Sequence, residues 1–365
     1  MRRLLVALLA LVFASAAPRA QDAAEQARAL RKSGQLEEAL AVLEAARAAS
    51  PRDELLAGLQ GLCLLDAGRA EQAAQLAATF PGYAGKEPKL HTFLGRASAL
   101  DGRWDEALQH FEAALAVDGR QLEPAVESVR TLMAAGRFAA AVTAAARVEA
   151  LSPELGRRLA ADALVAQADR LQAAGREALG PAIEKLTAAL ELRPDDVALG
   201  ERLLDMQVPL LRVDDARKLA ARLFPGEEGR GARLYWEGRC RDALTDRTGA
   251  REAYEQALAA QPSHAEARIE LARLDIDDGA FEKALERLAS LPGSGKHAAR
   301  ALLLTGLAEL GLHRDGPAEE HLRAALLLEP ENPKAQYQLG RLLLRTGRTE
   351  EGRSLLEGVE QLEPN

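Results

Sequence analysis

A glycine recurs every 34 residues at Gly34, Gly68, Gly102 and Gly136, and an alanine follows each by five, at Ala39, Ala73, Ala107 and Ala141. A fixed period of this length marks one supersecondary unit repeated along the chain, so each unit must bury its apolar face against its neighbours. After a shift of seven residues the alanine column resumes at Ala182, Ala216, Ala250, Ala284 and Ala318, with Gly352 in the tenth place. The frame holds four repeats over 20–155, starting at 20, 54, 88 and 122, then an insertion at 156–162. Six more fill 163–365, starting at 163, 197, 231, 265, 299 and 333. Seven residues are about two helical turns, so the insertion lengthens one helix without rotating its buried face.

Each repeat reads as two antiparallel helices. In Gly102-Arg-Trp-Asp-Glu-Ala107 and Gly279-Ala-Phe-Glu-Lys-Ala284 the glycine ends the first helix and the alanine lets the second approach closely, while a bulky residue between them (Leu36, Trp104, Phe138, Phe281) covers the corner. Pro51, Pro153, Pro194, Pro262, Pro330 and Pro364 share one frame position, where a fixed φ and a missing N–H stop the second helix. Only 4% of residues are aromatic while 48% are hydrophobic, so the core is Leu and Ala, which suits close-packed helices better than sheets. The fold class is all-α.

Two positions on the second helices exchange size between alternate repeats. Leu43 with Ala46, Phe111 with Ala114, Leu186 with Ala189 and Tyr254 with Ala257 alternate with Ala77 and Phe80, Ala145 and Val148, and Ala220 and Leu223. Large facing small in turn keeps each layer's volume constant and points to an ancestral pair of repeats. Cys63 and Cys240 share the tenth position of their repeats with Ala29, Ala97 and Ala308, and read as small core residues five layers apart, too far for a disulfide.

With Leu94-Gly95, Ala107, Phe111 and Ala114 in one repeat, and Leu339-Gly340, Leu356 and Pro364 in another, the chain resembles the tetratricopeptide repeat family over nearly all of 20–365. The family's first aromatic is mostly lost, and its tyrosine is replaced by residues such as Leu30, Leu64 and Leu132. The resemblance implies an α-solenoid coiled as a right-handed superhelix, with the first helices lining a concave surface that binds protein or peptide.

Ahead of the array, Arg2 and Arg3 precede an apolar run at 4–13 and small residues at Ala14, Ser15, Ala16 and Ala17. That order is a secretory signal peptide over 1–16, with cleavage before Ala17 or as late as after Ala20. The run is shorter than the ~20 residues a spanning helix needs, so no membrane span is expected in the mature form. Losing Arg2 and Arg3 takes the net charge from −8 to −10. An acidic product argues against nucleic acid as a partner. Export, to a periplasm or the extracellular space, and an Arg-to-Lys ratio of 39 to 8 point to a bacterial source.

Signals for chemistry are weak. Gly293-Ser-Gly-Lys296 has Ser290 where a phosphate loop needs glycine and His297 where it needs Ser or Thr. The histidines His91, His110, His264, His297, His313 and His321 never pair at i, i+4, so no metal, cofactor or catalytic residue is expected. One column stands out. The ninth position is Arg28, Arg96, Arg130, Arg239, Arg273 or Arg341 in six of ten repeats, against about one residue in ten for the whole protein. By the resemblance this column faces the groove, where Phe93, Trp236 and Tyr337, with Tyr235 beside them, lie one turn earlier. Guanidinium next to flat apolar surface fits an acidic or C-terminal peptide segment. Glu127 and Glu270, three residues before Arg130 and Arg273, fit the plainer reading of an exposed stripe of helix ion pairs.

These features describe an exported, non-enzymatic scaffold that holds a protein or peptide in its groove within a bacterial envelope assembly. The alternative is a structural or oligomerising part of an export or polysaccharide-assembly complex that acts through its ends. Layers about 10 Å apart give an arc of about 90 to 100 Å for ten repeats, which small-angle scattering measures directly; a compact sphere would refute the array. Removing whole repeats from one end should lower stability step by step, whereas deleting ten residues should disrupt one repeat locally.

Overall fold

A computed structural model describes residues 20–80, 87–291 and 295–362. The segment 1–16, expected as a signal peptide, and Pro292, Gly293 and Pro364 lie outside the described residues. The chain divides into two compact units, one ending at Asp196 and one beginning at Val197. Among the described residues there are twenty α-helices and no strand. The fold is an all-α solenoid.

The first unit contains five helix pairs: α1 (Ala20–Lys32) with α2 (Leu36–Ala49), α3 (Glu54–Asp66) with α4 (Ala70–Ala78), α5 (Glu87–Leu100) with α6 (Trp104–Val117), α7 (Leu122–Ala134) with α8 (Phe138–Leu151), and α9 (Pro153–Ala173) with α10 (Leu179–Leu192). The second contains α11 (Val197–Gln207) with α12 (Val213–Leu223), α13 (Arg230–Ala243) with α14 (Arg247–Ala260), α15 (Ala265–Asp277) with α16 (Phe281–Leu288), α17 (Ala298–Gly311) with α18 (Asp315–Leu328), and α19 (Pro333–Arg345) with α20 (Thr349–Leu362).

The reversal inside nine of the ten pairs has one stereochemical cause. A single residue after the first helix adopts the left-handed conformation, and the next residue's N–H reaches back to the carbonyl five positions earlier, from 2.7 Å at Arg69 to 3.0 Å at Arg212. This Schellman closure satisfies a carbonyl that the helix end would otherwise leave unpaired. It recurs in nine of the ten repeats, at Gly34, Gly68, Gly102, Gly136, Leu211, Thr245, Gly279, His313 and Gly347. Leu211, Thr245 and His313, at φ of 57°, 63° and 58°, are the only non-glycine residues with positive φ among those described. The repeat lacking the closure is the one with the insertion. Its first helix, α9, runs 21 residues with Pro153 in its first turn, so 156–162 are continuous helix, and the turn is made by Gly175 and a short 3₁₀ segment, Arg176–Ala178.

Every alanine of the column from Ala39 to Ala318, five residues past the left-handed residue in all but the inserted repeat, is fully buried. In the tenth place, a Cβ on Gly352 would stand 2.8 Å from the carbonyl oxygen of Gly340. The same closeness leaves Gly95 against the ring of Phe111 and Gly238 against that of Tyr254, where a Cβ would fall 2.5 and 2.4 Å from a ring carbon. The size exchange between alternate repeats also has a packing basis. Leu43, Phe111, Leu186 and Tyr254 are fully buried, whereas small Ala77 is paired with Phe80, whose ring packs 5.4 Å from Phe93 of the next repeat. Cys63 and Cys240 are free, buried thiols whose pKa values burial pushes up to about 11, so they stay unreactive at neutral pH.

A left-handed conformation costs a non-glycine residue roughly 1–2 kcal/mol, more than the ~0.5–1 kcal/mol of extra chain entropy that glycine brings to the unfolded state. Thr245→Gly and Leu211→Gly should therefore each raise stability by about 0.5–1 kcal/mol, and Gly102→Ala should lower it by a similar amount. Shifts of the urea midpoint in these directions are the check.

Candidate functional site

Along the first helices, most of the arginine column is engaged within the protein. Arg28 of α1 pairs with Asp101, whose almost buried carboxylate also accepts from Arg103 at 2.6 Å. Next to it, Arg31 pairs with Asp66 and, at 3.1 Å, with Glu106. Arg28, Arg31, Asp66, Asp101 and Arg103 border a cavity of about 440 Å³ that Leu59 also lines. Arg96 lies 3.7 Å from Glu123, and Arg130, largely exposed, lies 3.0 Å from Glu127.

In the second unit Arg239 donates to the Tyr235 hydroxyl at 2.9 Å, reaches Asp205 at 3.3 Å and lies over the Trp236 ring, 5.5 Å from its centre. Arg273 binds Glu270 at 2.9 Å, Asp277 at 3.1 Å and also Asp242. Arg341 differs. Its guanidinium lies 5.5 Å from the centre of the Tyr337 ring and makes no ion pair among the described residues.

The aromatic half of the expected groove needs correction. Phe93 is fully buried, and Tyr235 and Trp236 are 6% and 4% exposed, so none of the three presents a flat face to a ligand. Phe93 and Trp236 occupy the sixth frame position, which turns into the helix interface. Tyr235 sits one position earlier, where the entry to α15 covers it: His264, which caps that helix, stacks at 5.0 Å, and the rings of Trp236 and Tyr254 pack beside it. Tyr337 has the same frame position as Tyr235 but remains 43% exposed, because no described helix packs over that side of α19. Tyr337, Arg341 and the partly exposed Leu344 thus form one open surface. Arg341 also lines a cavity of about 250 Å³ together with Leu310 and Gln338.

The frame overlooked the counter-charges. Arg239 and Asp205 are 34 residues apart, Arg31 and Asp66 35, Arg300 and Glu270 30, and Arg69 and Glu37 32. An acid about one period from an arginine was the signal available, and it marks pairs that stitch neighbouring repeats. The deepest are in α15. Asp275, 1% exposed, accepts from Arg251 at 2.5 Å and Arg287 at 2.6 Å, with Lys283 at 3.8 Å. Glu270 holds Arg273 and Arg300, and although burial pushes its pKa up, those two cations outweigh burial and leave it below the ordinary carboxylate range. Lys296, the lysine of the loop-like Gly-Ser-Gly-Lys stretch, binds Glu266 at 3.0 Å beside His297. Among the described residues no group of three His, Cys, Asp or Glu could hold a metal ion, and no helix is long and apolar enough to cross a membrane.

Two models of the tetratricopeptide repeat match this protein, one over 24–85 and the other over 243–307 and 318–365. Those segments match as tetratricopeptide repeats. Among solved structures, the Cut9–Hcn1 hetero-tetramer of APC/C is 13% identical, with 95% of this chain and 88% of that one covered at a TM-score of 0.45. Yeast Tom70 gives 13%, 95%, 86% and 0.45, and MamA from Desulfovibrio magneticus RS-1 gives 21%, 46%, 95% and 0.37. No curated protein matches the sequence. Tetratricopeptide repeats with this interior support a protein-interaction scaffold.

Two outcomes follow from the α15 network. Asp275→Ala strands three cations that still reach solvent and should cost about 2–3 kcal/mol in the second unit. Glu270 has a lower pKa folded than unfolded, so the unfolded state binds more protons. Its stabilising contribution is complete above the ordinary carboxylate pKa of about 4.3 and is lost as pH falls through the folded value. Chemical denaturation between pH 7 and 3 should show the second unit weakening from about pH 4.5 downward, less so in Glu270→Gln.

Proposed function

We propose that this protein is an exported, non-enzymatic scaffold that holds a protein or peptide partner, within a bacterial envelope assembly, on the open surface around Tyr337 and Arg341. One observation carries the reading: of the six arginines in the column, Arg341 alone stands on an exposed ring with its charge unmatched by the described residues. A planar guanidinium without a carboxylate accepts one in forked geometry, and the ring and Leu344 beside it take an apolar side chain. An acidic segment or a free C-terminus supplies both. Export rests on the order of residues 1–16.

The alternative, action through an end, draws support from frame equivalence. Tyr235 and Arg239 occupy the positions of Tyr337 and Arg341, and in that repeat the ring is covered by His264, the residue that caps α15. A partner that presents a helix rather than an extended peptide would complete α19 as α15 completes α13.

Cross-linking of the mature protein in envelope extracts identifies the partner, and peptides cut from it separate the two modes. Tyr337→Ala and Arg341→Ala should each weaken binding about tenfold. Arg239→Ala and, on a second helix, Glu255→Ala should leave affinity within about twofold, since these groups are engaged inside the protein. Loss of binding in Glu255→Ala with none in Arg341→Ala would place the contact elsewhere. Fusing residues 1–20 to a reporter that works only outside the cytoplasm tests export.

A further inference from the structure

His91 on α5 and His110 on α6 meet although 19 residues separate them in sequence. Their Nδ1 atoms are 3.2 Å apart, with ring centres 5.5 Å apart and ring planes inclined by 35°. Neither ring has another hydrogen bond among the described residues, and both are half-buried. Burial, and then the neighbouring His91, hold the His110 pKa below the ordinary histidine value. Two imidazoles at this distance cannot both carry a proton on the facing nitrogen. At least one bare lone pair therefore points across the gap, and a change of tautomer exposes the second.

The separation matches that of two donors on one metal ion, although the rings now meet nearly head-on, with centres 5.5 Å apart, and each must swing to aim both lone pairs at one point. Bonds of about 2.0–2.1 Å at a tetrahedral centre place two imidazole nitrogens roughly 3.3 Å apart. We propose that His91 and His110 form a two-imidazole site for a divalent transition-metal ion of the zinc and copper class, with water in the remaining positions. Neutral imidazole is a preferred ligand for these ions. On binding, each ring offers Nδ1 and keeps its proton on Nε2, so no proton is released. Glu106, one turn before His110 on α6, faces the ring together with Asp66 and Arg31, so one cation opposes two carboxylates around the site. An ion here would tie the two helices of the third repeat together across their interface. This inference stands independently of the Tyr337 surface.

The test uses the full mature protein, free of any polyhistidine tag and dialysed against a chelator. Calorimetric titration with zinc chloride and with copper sulfate should show one saturable equivalent. His91→Ala and His110→Ala should each weaken it by about tenfold or more, and His297→Ala should leave it unchanged. The copper(II) paramagnetic resonance spectrum should carry the splitting of two imidazole nitrogens, reduced to one in either variant. His91→Gln, which keeps a hydrogen-bonding group beside His110, replaces the alanine variant if circular dichroism shows that one unfolded. Equal affinity in the wild type and the His91→Ala/His110→Ala double variant overturns the proposal and leaves the pair as an N–H···N hydrogen bond, as does a copper spectrum unchanged by substitution.

Discussion

The array depends on one left-handed residue per repeat. Because the next N–H bonds to a carbonyl five residues back, the backbone leaves the first helix in one fixed direction, and the second helix starts two residues after the turn. That geometry decides which residue of the second helix first meets the first, and the residue there must be alanine or glycine. Leu211, Thr245 and His313 show that the conformation, rather than glycine itself, is what the repeat requires. Each accepts strain to keep the reversal. The inserted repeat is the exception that explains the rule. With α9 longer by two turns, Gly175 closes differently and a 3₁₀ segment delivers the backbone into α10.

Packing alone would leave the repeats held by alanine and leucine contacts of little specificity. Ion pairs spaced by about one period supply register. An exposed pair contributes at most about 1 kcal/mol, so Arg147 with Glu112 or Arg137 with Asp105 matters little one at a time. Asp275, Glu270 and Asp101 are different because their carboxylates are almost out of solvent, and each is met by two or more cations. A slip of one repeat against its neighbour would leave those carboxylates buried and unpaired, a far larger penalty than the loss of any surface pair.

Most of the backbone was legible in the residues. The frame put first helices at 54, 122, 197 and 265, and helices begin at Glu54, Leu122, Val197 and Ala265. Periodicity reports backbone geometry, which is the same in every repeat. It does not report what covers a side group, which depends on the neighbour. Tyr235 and Tyr337 are identical in residue type and frame position, yet one is buried under His264 and the other is open. A count of arginines in a column likewise says nothing about acids a period away. His91 and His110 evaded the search for i, i+4 pairs because they face each other from two helices.

Charge sets the manner in which the open surface can work. The protein carries a net −8, so an acidic partner gains no long-range attraction and approaches against the mean field. Within about one Debye length, near 8 Å at physiological ionic strength, only the local charge counts, and there Arg341 stands beside Arg345, which is itself paired with Asp315. If the surface binds as proposed, a single unmatched cation would give a short-ranged contact of modest salt dependence, with the Tyr337 ring and Leu344 supplying the apolar part. On the proposed reading, the pairing of the other five column arginines is part of the specificity: with carboxylates already in place, those positions would offer an acidic peptide nothing to displace them for, whereas Arg341 has no carboxylate among the described residues.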